Sequence, residues 1–341
     1  MGRKERKRFA DNEAVSELLK KDKHTAEEIE FIKEAYTGVG GLVSSGWDSG
    51  QFFTPSVVTE FIVKILRIES GTVLEPSCGG GAFLRALPER CQITGIEYMH
   101  ETAKVSTVCY PRALIMNEDA LKVKFSHQFD YVIGNPPYGL KVDDWDFDSG
   151  KKAKSEIAFL EYGLRNLREG GLLAMVIPDS VLQGQATAAF RKYIMEEHNL
   201  VGIISLPIET FSKAGTKVKT SVMVIKKGRH IFHEHQQVLM AVCKDIGWDS
   251  RGNETGKCDL PMIADEFSNF LDGQDMMNMQ LAVAHAMQAI EDGEGESFTI
   301  PVSDSDTTPD VTEPPEEKPA PAVAKKVPKK KAVLEGQLEL V

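Results

Sequence analysis

Apolar positions recur along this chain in two rhythms. Within residues 11–36, Val15, Leu18, Leu19, Ile29 and Ile32 stand three or four apart, the spacing of a buried helical face. Thr25 followed by Glu28 predicts a capping box opening the second piece of that helical segment. Val57, Val58, Phe61, Ile62, Ile65 and Leu66 repeat the helical spacing behind Thr54, a good N-cap, and Pro55, a good first helical residue. The second rhythm is the short continuous apolar run, which predicts buried strands at 72–74, 93–96, 113–116, 129–133, 172–177, 200–206 and 221–225. Helices are predicted to open at Ala82 and to span 157–167, the latter closed by Gly170 and Gly171. Strands alternating with helices predict an α/β fold, with a mostly parallel sheet covered on both faces. The polar stretch 141–154, which holds Trp145 and several aspartates, reads as a mobile loop.

The pattern changes at both ends. Residues 1–8 read as a loose basic arm, and the glycines and serines of 38–50 as a flexible crossing. Residues 245–249 are rich in turn formers, and 263–271 and 280–290 carry helical spacing. Beyond residue 297, Pro, Glu, Asp and Lys dominate, a composition that cannot bury enough apolar surface to fold. The expected organisation is an arm and helical segment at 1–49, a catalytic domain at 50–228, a small extension at 229–296 and a disordered tail at 297–341.

Composition narrows the classes. Of 341 residues, 42% are hydrophobic, enough for a sizeable core. No apolar run approaches the ~18 residues of a membrane-spanning helix, and the basic N-terminus has no apolar stretch behind it. Five scattered cysteines, none paired at metal-ligand spacing, fit a reducing compartment and argue against structural zinc. The net charge of −11 lowers the expectation of tight unaided DNA binding, although charge distribution matters more than its sum.

Candidate chemistry concentrates at strand ends. Strand 72–74 runs into Glu75-Pro76-Ser77-Cys78-Gly79-Gly80-Gly81, a glycine turn that lets a ligand approach the backbone, with Ser77, Gly79 and Gly81 as candidate contacts. No lysine follows in the manner of a nucleoside triphosphate loop. Glu97 ends the second strand, where an acid holds a ribose by its hydroxyls; Tyr98 or Met99 can cover an adenine face. Asp119, beside Ala120, follows the third strand and can accept from a cofactor's adenine amino group. Each acid alone also reads as a solvated loop carboxylate; three acidic strand ends in register are harder to dismiss.

The fourth strand leads through Gly134 into Asn135-Pro136-Pro137-Tyr138. Two prolines stop helix and ladder alike and leave a stiff corner at a strand's carboxyl end. An exocyclic adenine amine is a weak nucleophile because its lone pair spreads into the ring. Two acceptors, the Asn135 side-chain oxygen and the Pro136 carbonyl, can draw it toward tetrahedral geometry, while Tyr138 stacks on the base. The bland reading is a Pro-Pro turn capped by asparagine. Phe211 can press the opposite face of the base, or equally can plug the core.

In this order the motifs resemble those of the amino-group adenine DNA methyltransferases of the type I modification-subunit kind. The resemblance spans roughly residues 40–271 and rests on Gln51-Phe52-Phe53-Thr54-Pro55, the glycine turn at 73–81, Asn135 to Tyr138, and the stretches 206–225 and 245–261. It implies a seven-stranded Rossmann-like methyltransferase fold, S-adenosylmethionine as methyl donor, and a cytoplasmic enzyme of bacterial or phage origin. It places Thr54 and Gly79 by the methionine moiety, Glu75 by its amino group, Glu97 by the ribose and Asp119 by the adenine, with Phe53 as a further cofactor contact. Asn135, Pro136, Pro137 and Tyr138 then act on an adenine flipped out of DNA. RNA bases, a protein glutamine amide, or a silent DNA-associated scaffold are the competing readings. The segment 230–297 is short for reading several base pairs, so either a partner such as a specificity subunit supplies recognition or sequence preference is loose. The closing Gln337-Leu338-Glu339-Leu340-Val341 resembles the peptide by which bacterial proteins dock on the replication sliding clamp, without its final aromatic.

Overall fold

The computed structural model describes residues 3–36, 53–214, 217–229 and 236–291. The glycine-rich crossing, Gln51 and Phe52, the tail beyond 291 and the sliding-clamp peptide at Gln337, Leu338 and Leu340 lie outside the described residues. One compact unit covers Met1–Gln288. Of the second, Ala289–Val341, only the end of a helix is described.

The chain begins with α1 (Arg3–Leu18), so most of the expected loose arm is helical. It is followed by α2 (Ala26–Ala35), capped by the Thr25–Glu28 box as the sequence predicts. Next come α3 (Ser56–Ile65), β1 (Gly71–Glu75), α4 (Ala82–Ala86), β2 (Cys91–Ile96), α5 (His100–Cys109), β3 (Leu114–Met116) and β4 (Phe129–Gly134). Beyond the proline corner lie α6 (Ser155–Asn166), β5 (Leu167–Pro178), α7 (Ser180–Gln183), α8 (Ala188–Glu197), β6 (Asn199–Ser205), β7 (Thr220–Lys226) and β8 (Leu239–Val242). A hairpin of β9 (Ile246–Trp248) and β10 (Glu254–Cys258) and the long α9 (Leu260–Glu291) complete the described chain.

All seven predicted strands are present, and β8 adds an eighth. Their order is β3-β2-β1-β4-β5-β7-β6-β8, parallel except for β7, which runs antiparallel to both neighbours. Chain direction across the sheet reverses between β1 and β4, the switch point where a crevice opens beyond the strand carboxyl ends. Alternate residues face opposite cores, as the period of two requires. Ala174, Val176, Val222 and Val224 join the core packed by α1 to α5 and α9. Leu173, Met175, Ile177, Met223 and Ile225 join the core packed by α6 to α8. Val15, Leu19, Ile32 and Tyr36 are buried in the first core, so the N-terminal helices share the hydrophobic interior of the sheet.

Several local expectations are corrected. Gly170 and Gly171 do not close α6; the helix stops at Leu167, which is already extended, and both glycines lie within β5. The turn-rich 245–249 contains a strand, Ile246–Trp248, and the two helices expected within 263–290 are one. Helical spacing alone cannot show whether the residues between two apolar stretches break a helix.

Gly81 holds a left-handed backbone, φ +89°, at the start of α4. A Cβ there would sit 2.2 Å from the Tyr110 ring. Gly81→Ala is expected to destabilise the protein by roughly 2–4 kcal/mol, summing an unfavourable backbone and an overpacked contact. Urea unfolding measures this, and an unchanged midpoint would mean that Tyr110 yields without cost.

Candidate active site

A cavity of about 430 Å³ opens at the switch point. The carboxyl end of β1 and its glycine turn supply Glu75, Ser77, Cys78, Gly79 and Gly80 to its wall; Phe53 and Thr54 enter just ahead of α3. Glu97, Tyr98 and Met99 come from the end of β2, Asp119 and Ala120 from beyond β3, and Asn135 and Pro137 from beyond β4. Chain segments far apart in sequence thus converge on one crevice.

The acidic strand ends are staggered rather than in register. Glu75 pairs with Gly95, two residues short of Glu97. Ile96 pairs with Met116, which brings Asn117 opposite Glu97 and leaves Asp119 two residues further on. The carboxylates therefore step along the crevice, as an elongated ligand requires. Glu75 is 2% exposed, and its Oε2 is buried without a hydrogen-bond partner. Burial, reinforced by the neighbouring Glu97 carboxylate, holds the Glu75 carboxyl well above the ordinary range. Burial and the same two carboxylates push the Cys78 thiol up, so it is not a thiolate nucleophile.

The glycine turn is held from both sides. The Gly79 N–H donates to Glu97 Oε2 at 3.0 Å, and Ser106 of α5 donates to the Gly79 carbonyl. Gly79 has φ +52°, and a Cβ built there would meet nothing within 4 Å, leaving open space for a ligand. Glu97 also accepts from the Met99 N–H at 2.7 Å, and Asp119 accepts from the Leu121 N–H at 3.2 Å. Gly80 is bare because a Cβ would strike the rings of Phe53 and Tyr36 at 2.9 Å. Gly81, expected to touch the cofactor, does not line the cavity; its role is the packing against Tyr110 described above.

Thr54 does not cap α3, whose N-cap is Pro55. Its hydroxyl instead accepts from Asn135 Nδ2 at 3.1 Å. The Tyr138 hydroxyl donates to Asn135 Oδ1 and lies 3.1 Å from the Val176 carbonyl. Both ends of the Asn135 amide are thereby oriented, a geometry that the sequence does not reveal. Ser77 Oγ donates to the Asn135 carbonyl at 3.3 Å, joining the glycine turn to the proline corner. Burial, with Glu156 nearby, raises the Tyr138 phenol well above its ordinary value, so the hydroxyl stays protonated and able to donate. Pro136 is buried, and neither Pro136 nor Tyr138 lines the cavity, whereas Asn135 and Pro137 do. Phe211 lies in the hydrophobic core, 1% exposed and away from the cavity; of its two readings the core plug holds.

The stretch 141–154 borders the cavity through Lys141, Val142, Asp143 and Asp144, and it is fastened rather than loose. Glu161, fully buried on α6, accepts from Trp145 Nε1 at 3.1 Å, the Asp148 N–H at 2.8 Å, the Ser149 N–H at 3.1 Å and Ser149 Oγ at 2.7 Å. Arg165 pairs with Asp148 and lies 4.2 Å over the Trp145 ring. Glu161→Ala strands these donors and is expected to cost about 2–3 kcal/mol, the scale of orphaned buried polar groups. Proteolysis of 141–154 should accelerate in step with the lost stability; cleavage at the wild-type rate would show that the loop has other anchors.

The fold is that of the S-adenosylmethionine-dependent methyltransferases, and S-adenosylmethionine is the cofactor. A protein from Listeria monocytogenes described as a class I methyltransferase of that kind superposes with a TM-score of 0.58, covering 77% of this chain and 91% of its own at 18% identity. Residues 41–292 match the family model of the N-6 DNA methylases, and the chain belongs to that family. Among curated relatives, the defense against restriction protein B of Escherichia phage P1 is 25% identical over 58% of this chain and 9% of its own length. The type I restriction enzyme EcoEI methylase subunit of Escherichia coli is 23% identical over 65% of this chain and 52% of its own. This chain thus spans about half of the second relative and a small part of the first. Among the described residues, no helix is long and apolar enough to cross a membrane.

The residues present suit the cofactor. An unpartnered buried carboxyl at Glu75 fits an ammonium group, the bare Gly79 gives room, and Glu97 and Asp119 offer oxygen acceptors further along.

Proposed function

We propose that this chain methylates the exocyclic amino nitrogen of adenine in DNA, with the base flipped out of the duplex. The observation that carries this reading is the Asn135 amide, clamped by Thr54 and Tyr138 at the edge of the cavity where Glu75 and Glu97 converge. When bound, S-adenosylmethionine supplies an electrophilic methyl group on a positively charged sulfur. The protein's part is positioning. Asn135 Oδ1 can accept from a second donor beside Tyr138, since an amide oxygen has two lone pairs. The Pro136 carbonyl is the other proposed acceptor, so the two N–H bonds of the amine are drawn down and its lone pair is aimed at the methyl carbon. As the N–C bond forms the methyl–sulfur bond would break, its electron pair staying on the sulfur and cancelling the positive charge, and one amino proton then leaves to solvent. A base stacked inside a duplex cannot reach this corner, hence the flipping.

Kinship with a type I methylase subunit supports an adenine in DNA over an RNA base or a protein amide, and supports recognition through a specificity subunit. The sliding-clamp peptide remains a separate proposal. Pull-down with the clamp, with and without residues 337–341, tests it; equal recovery ends it.

The test of the main reading is transfer of labelled methyl from S-adenosylmethionine to duplex DNA, RNA and protein, each with the full chain alone and with a candidate specificity subunit. Label in N6-methyladenine of DNA is the expected outcome. Label confined to RNA or protein, or none in any arm, would overturn it.

A further inference from the structure

The Asn-Pro-Pro-Tyr corner is held largely by residues outside it. Prolines at 136 and 137 remove two N–H groups, so the corner has few internal bonds with which to fix itself. Its far side rests on the first turn of α6. Ser155 Oγ donates to the Pro137 carbonyl at 2.8 Å and accepts from the Leu140 N–H at 3.1 Å. The Ser155 N–H donates to the Leu140 carbonyl at 3.0 Å. The Gly139 N–H donates to Glu156 Oε2 at 2.8 Å. Ser155 and Glu156 are 2% and 5% exposed, so the α6 side of these bonds is shielded, whereas Gly139 and Leu140 reach the surface. Gly139, at φ +75°, turns the chain so that its N–H faces the carboxylate.

We propose that Glu156 is a positioning residue for methyl transfer, with Ser155 as its partner. Together they fix the proline corner at the height where Asn135 meets the reacting amine. This inference rests on the proposed reading of Asn135. Glu156 does not line the cavity, so its influence passes through the corner. Displacing a reacting group by about 1 Å can cost roughly 100-fold in rate. A corner released from Glu156 keeps the glycine turn and the strand-end acids intact, so turnover should fall without loss of cofactor affinity. Glutamine keeps an oxygen at the same reach and can still accept from the Gly139 N–H.

The experiment compares the full-length wild type with Glu156→Ala and Glu156→Gln. Three readouts are taken: hydrogen exchange of the peptide carrying the Gly139 and Leu140 amides, S-adenosylmethionine affinity by calorimetry, and single-turnover methyl transfer to DNA. Glu156→Ala is expected to raise exchange at least about tenfold, to hold affinity within about twofold, and to slow transfer by roughly 10- to 100-fold. Glu156→Gln is expected to return exchange and rate to within about threefold of wild type. Unchanged exchange in Glu156→Ala overturns the proposal, because the corner is then fastened elsewhere. Raised exchange with an unchanged rate overturns it too, since the fastening then has no bearing on chemistry. If Glu156→Ala does not fold, Glu156→Gln decides: a rate more than about tenfold below wild type, with exchange unchanged, refutes the assignment. A wild type that transfers no methyl to DNA defeats the reading of Asn135 and with it the catalytic part of this proposal, while exchange still reports whether Glu156 holds the corner.

Discussion

Asn135→Ala is expected to slow methyl transfer by at least roughly 100- to 1,000-fold, the scale seen when one preorganised polar group is removed from a reacting centre. S-adenosylmethionine affinity should stay within about twofold, because the strand-end acids and the glycine turn remain. The amide is held at both ends, by Thr54 and by Tyr138, so its oxygen is set before any base arrives. Alanine removes the acceptor and leaves the Thr54 and Tyr138 hydroxyls facing a gap. Single-turnover transfer and calorimetry on the same preparation separate the two effects. Loss of cofactor binding together with activity would mean that Asn135 serves the cofactor rather than the base.

Glu75→Gln is expected to act in opposite directions on binding and on stability. Burial, with Glu97 adding to it, keeps Glu75 protonated in the empty folded protein at pH values where the unfolded chain has released that proton. Above the ordinary glutamate pKa, about 4.3, the folded state therefore binds more protons than the unfolded state. Its contribution to stability then falls as pH rises, until the raised folded value is passed. Glutamine carries no such dependence. The empty variant should melt above wild type at pH 8, and the difference should close toward pH 4.

Binding runs the other way. The cofactor's ammonium group favours the ionised carboxylate, so wild-type affinity should rise with pH as the buried carboxyl releases its proton. In Glu75→Gln, affinity should fall roughly 10- to 150-fold, the equivalent of about 1.5–3 kcal/mol for a charged hydrogen bond, and should lose that pH dependence. Calorimetry across pH 5 to 9 reads affinity and proton release together. Equal pH profiles for the two proteins would remove Glu75 from the ammonium site.

The strand, glycine turn and helix at 71–86 were legible because apolar runs and glycines are local signals. So was the corner at 134–138, where two prolines leave the chain little choice. Thr54 shows the limit. Its sequence setting fits an N-cap, yet in the fold its hydroxyl meets an amide 81 residues away. Phe211 was ambiguous for the same reason, since an aromatic ring beside a loop suits a base and a core equally well.

Glu161 and Glu156 gave no sequence signal, because each sits on a helix where a carboxylate normally faces water. Only the packing of α6 beneath the loop shows why both are buried. Taken alone, the sequence determined the α/β alternation, the seven strands, the glycine turn and the stiff corner, all consequences of side-chain periodicity and backbone restriction over a few residues. The tertiary structure decided which polar groups meet: the stagger of Glu75, Glu97 and Asp119, the clamp on Asn135, and the buried anchors of the two loops. Those depend on strand order and register, which bring distant residues within about 3 Å of one another, and no local pattern records that distance.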